Sequence, residues 1–243
     1  MNKLVAVGLF TLLTFTTLAF ADQVLFYGGD FDPNNPNANG LANENDAIVG
    51  GNPYGAATYQ NFVIPNGQTW NVTGLFTNNL SQLTPTSGYW EIRQGVSEGN
   101  GGTLIASGTA TGGNFTQTPT GRSGFGYTEY SDTVYFPEGT PVHCPPFCGG
   151  VYFAVVPNAP TQNGRSFNSN TFGLNSIGMQ TSNQQFFNSS FFGANFTNAN
   201  NEGVFPTFSG GVIGTVVPEP SSMIMLGSGL LAAAGVVRRR LSR

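Results

Sequence analysis

Few residues in this chain are equipped for chemistry, and they fall in three places. His143, the only histidine, opens the run His143-Cys144-Pro145-Pro146-Phe147-Cys148, which holds both cysteines. Any catalytic triad built on histidine must use it. No G-x-S-x-G nucleophile motif accompanies it. His143, Cys144 and Cys148 also suggest a metal site, but that needs reduced thiols and a fourth ligand to which the sequence does not point. Outside the cytoplasm, a Cys144–Cys148 disulfide is the expected state. Four residues of extended chain span about 13 Å, whereas bridged Cα atoms sit within about 7 Å. The loop must therefore turn, and its two prolines suit a fixed turn.

Carboxylates are the second source. A glycosidase works with two of them, and Glu91 with Glu129 or Asp132 would be the pair here. Against this, Glu91 and Arg93 flank Ile92 on the outward face of one strand, where solvent would hold both. The third place is Gly29-Asp30-Phe31-Asp32-Pro33-Asn34-Asn35, followed by Glu44-Asn45-Asp46. Calcium takes many oxygen ligands, and Asp30, Asp32 and Asn34 present them at alternate positions. The pattern lacks the glycine and the distal glutamate of an EF-hand loop. The alternative is an Asx-rich surface loop, since Asp and Asn also favour turns.

The elements that must position these residues are strands. Short apolar runs recur between turn residues at Val24–Tyr27, Tyr59–Ile64, Thr69–Phe76, Gly88–Gln94, Thr103–Gly108, Gly124–Phe136 and Val151–Val156. Weaker runs follow at Thr171–Met179, Gln185–Phe192 and Val204–Phe208. In Thr69–Phe76, Trp70, Val72, Gly74 and Phe76 alternate with Asn71, Thr73 and Leu75. In Gly88–Gln94, Trp90 and Ile92 alternate with Glu91 and Arg93. A period of two marks half-buried strands, with both tryptophans in the core. The phenylalanines of Gln184–Phe196 read as strand core before they read as a sugar-stacking or partner-binding face. No helical period precedes Ser221. The expectation is an all-β fold, an antiparallel β-sandwich of jelly-roll type, over residues 22–216.

That segment has three arginines, Arg93, Arg122 and Arg165, against eleven carboxylates, and so a net charge of −8. It offers no basic patch for phosphates, so nucleic acid is not an expected partner. Its aromatic content argues for an ordered domain in spite of abundant Gly, Asn, Ser and Thr.

The two ends carry addresses. Lys3, an uncharged stretch from Leu4 to Leu18 and Ala19-Phe20-Ala21 make residues 1–21 a signal peptide, with the mature chain starting at Asp22. Residues 217–243 hold Pro218, Glu219 and Pro220, then 15 uncharged residues from Met223 to Val237, then Arg238, Arg239, Arg240 and Arg243. As a transmembrane helix, the apolar stretch spans roughly 22 Å against roughly 30 Å of hydrocarbon, with serines and snorkelling arginines closing part of the gap. The arginines act as a membrane stop and keep residues 22–216 outside the cytoplasm. Val217-Pro218-Glu219-Pro220-Ser221, the apolar segment and the terminal arginines together resemble the PEP-CTERM sorting signal of Gram-negative bacteria. The resemblance covers about 27 of 243 residues. It implies Pro218, Glu219 and Pro220 as recognition residues and an exosortase-type membrane enzyme as partner. It also implies a setting rich in exopolysaccharide. The expected role is that of a non-enzymatic surface or matrix protein, structural or adhesive. A calcium-dependent carbohydrate-binding module and a secreted hydrolase are the alternatives.

Overall fold

A computed structural model describes residues 22–143, 150–179, 184–204, 206–217 and 220–241. The signal segment and the Cys144–Cys148 disulfide lie outside the described residues. So do Pro218 and Glu219.

The chain is mostly β and forms two sheets. The first is built on β5 (Thr69–Ser81). Along one edge β5 pairs with β9 (Tyr127–His143), which also pairs with β8 (Phe115–Gly124). Along the other it pairs with β15 (Gly210–Val217) and then β11 (Ser166–Thr171). Beyond β15 lies β1 (Gln23–Tyr27), and β11 holds β2 (Gly40–Ala42) and β14 (Thr207–Phe208). In the second sheet the order is β13 (Ala194–Asn198), β12 (Phe186–Ser189), β4 (Ala57–Phe62), β10 (Val151–Ala159), β6 (Ser87–Gln94) and β7 (Thr103–Thr111). Its pairings are antiparallel except that β3 (Asn45–Asp46) runs parallel to β10. Helix α1 (Pro220–Leu241) follows β15.

One apolar cluster joins the sheets: Phe26, Trp70, Val72, Leu75 and Val134 of the first with Phe62, Trp90, Ile92, Phe153 and Val155 of the second. Strand alternation explains it. On β10, Val151, Phe153 and Val155 enter this cluster, while Tyr152, Ala154 and Val156 enter another on the far face of the same sheet. That far face is not solvated. Val96, Phe186 and Phe196 cover it and bury Tyr59 completely.

On β5 the expected alternation breaks. The register shifts between Val72 and Gly74. A bulge of this kind turns the following residues over. Leu75 therefore joins Trp70 and Val72 in the core, while Phe76 packs on Tyr27 on the other face. The segment 171–179, expected as a strand, is instead a loop after Thr171 ends β11; single bridges join Ile177 to Tyr27 of β1 and Leu174 to Asp30 beyond it. β15 is not among the expected strands, and its glycines are needed where they stand. A Cβ at Gly211 would collide with Phe26 and Phe76, and one at Gly214 with Asn71.

Candidate functional site

The carboxylates that the sequence offered as a catalytic pair sit in three separate environments. Glu91 on β6 is not solvated, as its strand parity suggested, but almost wholly buried under the outer layer of the second sheet. Tyr59 donates a very short hydrogen bond to it, Tyr89 donates at 3.0 Å, and Arg93 closes a bidentate pair at 2.8 and 3.2 Å. Burial, reinforced by the Glu91 charge, pushes the Tyr59 and Tyr89 phenols far up. Both therefore remain donors at any ordinary pH.

Glu129 on β9 is on the outer side of the first sheet. Ser169 and Thr120 donate to it at 2.5 and 2.7 Å, and Arg122 Nε meets it at 2.5 Å. Asp132, three residues on and so on the opposite face, points between the sheets. It is fully buried and accepts from Asn79 at 2.7 Å through Oδ2, while Oδ1 has no partner among the described residues. Burial raises its pKa to about 7. The structure thus brings no two of Glu91, Glu129 and Asp132 to a shared face.

The arrangement missed by sequence reasoning is the pairing of cations. Each of the three arginines of residues 22–216 is matched with a buried glutamate: Arg93 with Glu91, Arg122 with Glu129, and Arg165 with Glu44 at 2.8 Å. Ser166 N–H also donates to Glu44. The scarcity of arginine was the available signal. With so few cations, each has an assigned place.

Asp30 belongs to the same network. Its Oδ1 accepts from Tyr27 at 2.6 Å and Arg122 at 2.7 Å, and its Oδ2 from Asn175 at 2.7 Å. Burial opposes ionisation, but these three donors outweigh it and hold the Asp30 carboxyl below its usual range. Asp32 accepts from the Asn34 backbone N–H at 2.9 Å, an Asx turn. In this arrangement Asp30 turns its oxygens to protein donors. Among the described residues, no three His, Cys, Asp or Glu side chains are placed to hold a metal ion.

The tail leaves directly from a core strand. β15 stays paired with β5 to its last residue, across a register shift between Ile213 and Gly214, with Val217 opposite Thr69, and Thr69 is in turn opposite His143. β1 lies on the other side of β15, with Gln23 opposite Gly214. Both chain ends thus leave the same end of the first sheet. Three residues after Val217, Pro220 opens α1, a position where its fixed φ and missing N–H cost nothing. Arg238, Arg239 and Arg240 occupy the last turn, where cations suit the helix dipole.

Residues 216–240 match the PEP-CTERM protein-sorting motif. No curated protein and no solved structure matches the chain. The motif marks an exported protein sorted through an exosortase, a membrane enzyme that processes such tails. One expectation about it is corrected. The segment is helical, but among the described residues no helix is long and apolar enough to cross a membrane.

Proposed function

We propose that this chain is a non-enzymatic passenger that the PEP-CTERM tail delivers to the outside of a Gram-negative cell. There it is a structural or adhesive component of an exopolysaccharide layer. We read its two packed sheets as a β-sandwich of jelly-roll type. The observation that carries the non-enzymatic reading is the state of the carboxylates. Glu44, Glu91 and Glu129 are buried and tied to arginine, and Asp132 is sealed between the sheets. None is left as an acid or base open to a substrate. Incubating the protein with polysaccharide of its host tests this reading. Retention without release of reducing ends is the expected result, and release of reducing ends would replace it with a hydrolase.

A second reading, calcium-dependent carbohydrate binding, would use Asp30, Asp32 and Asn34. Calcium would first have to displace Arg122 and Asn175 from Asp30. A melting temperature unchanged by EDTA removes this reading.

A further inference from the structure

We propose that the pocket under the tip of the β8–β9 hairpin binds one neutral sugar unit, with Phe125 as its stacking face. The inference rests on the polysaccharide setting proposed above and names the site and ligand class within it.

Phe125 is the wrong residue for its place. β8 and β9 are joined by Phe125 and Gly126 alone, at φ 55° and 83°. Two left-handed residues in a two-residue hairpin loop call for Asn-Gly or Asp-Gly, because a bulky side chain is strained there. The core does not explain the choice either, since Phe125 is 64% exposed. Its ring leans on the buried Phe31, with centroids 6.4 Å apart. A residue that serves neither its turn nor the core is where a functional reason is expected.

Beside Phe125 lies a pocket of about 210 Å³ lined by Asn39, Gly40, Leu80, Phe125, Tyr127 and Phe167. That is below the ~300–1,000 Å³ of sites for drug-sized molecules and suits a single ring. Tyr127 meets Phe167 edge-on at 5.6 Å, and Arg165 sits 4.7 Å over the Phe167 ring and fixes it. The Asn39 amide is held in place by Gly40 N–H at 2.8 Å and by the Gly203 carbonyl at 3.2 Å. The Tyr127 hydroxyl bonds to none of the described residues. Aromatic walls suit the C–H face of a sugar ring, and an amide and a phenol suit its hydroxyls.

Charge selects the kind of sugar. The three arginines outside the tail are all engaged by carboxylates, in a segment of net charge −8. An acidic sugar would meet repulsion and no available cation among the described residues of that segment. A neutral one meets neither obstacle.

The test is affinity electrophoresis of the protein isolated from its host, wild type and Phe125→Asn, in gels containing dextran, galactomannan or the polyanion alginate. Dextran or galactomannan should retard the wild type and alginate should not. Phe125→Asn should weaken that retardation at least tenfold while melting at the same or a higher temperature, because asparagine accepts the left-handed turn. Equal retardation of the variant would remove the pocket and leave polysaccharide binding standing. No retardation by either neutral polymer, or retardation by alginate alone, would overturn the proposal. The C-terminal mass of the variant should match that of the wild type, so a failure of sorting would be seen separately.

Discussion

On β5, Trp70, Val72 and Leu75 share a core with Phe62, Ile92 and Phe153 of the opposite sheet. Further along the same strand and between the same sheets, Thr77 and Asn79 meet Asn43 and the carbonyl of Val155 instead. The first region lies toward the tail and the second away from it. At the apolar end, contacts are non-directional and many side chains of similar volume would serve. At the other end each group answers a named partner. Asn43 donates to Val155 O at 2.8 Å and to Asn79 Oδ1 at 3.0 Å, and accepts from Thr58 N–H at 3.3 Å; Asn79 donates in turn to Asp132. The contrast teaches that this fold divides stability from specificity along its length. Burial of hydrocarbon holds the tail end, and directional bonds set the pairing at the far end.

The contrast can be broken most forcefully at Phe153, which is fully buried and packs on Phe26 and Phe62 at ring distances of 6.4 and 6.0 Å. Phe153→Ala should cost about 3–5 kcal/mol in denaturant unfolding. Asn43→Ala at the polar end should cost less, about 1–3 kcal/mol, because it leaves the Asn79 oxygen and the Thr58 N–H short of a partner but opens a smaller cavity. If Asn43→Ala costs as much as Phe153→Ala, the polar end carries stability too and the division fails.

Read per pH unit, the smallest effect sharpens the comparison through Asp132. Asp132 has a folded pKa of about 7 against roughly 3.9 unfolded, so the folded state binds its proton more tightly. Its contribution is fully present below pH ~4 and is lost as pH rises to about 7. Melting curves from pH 4 to 8 should show a slope of at most about 1.4 kcal/mol per pH unit from this group. Asp132→Asn should flatten that slope. An equal slope in both proteins would mean that Asp132 does not hold its proton in the fold.

Much of the scaffold is legible in the sequence, and the reasons for the misses are local. Trp70, Trp90 and Ile92 alternate as core residues must, and they are core. Phe186, Phe187 and Phe196 are buried as strand residues, whereas Phe191 and Phe192 stand exposed in the turn between β12 and β13. Strand parity places Glu91 on the outer face of its strand, but its burial comes with Tyr59 of β4, which bonds to it, and Phe196 of β13, which packs on Tyr59 and Arg93. Strand parity reveals a face and not what covers it. Asp132 could have been found, because it shares parity with the core residue Val134 on β9. β8 carries no strand signal, because Phe115–Gly124 is largely polar and holds Pro119; it forms an outer strand paired only with β9. The pocket at Phe125 has no signal in periodicity, since it is made by a hairpin tip meeting residues 39–40 and Phe167.

The central claim is that the tail is an address read by a processing enzyme. Its most direct test is the intact mass of the protein from its native host, compared between membrane fraction and medium. The account predicts that the exported form ends near Pro218–Ser221, immediately after the last paired residue of β15. A chain still ending at Arg243 in both fractions would contradict it and leave the tail as an unprocessed segment.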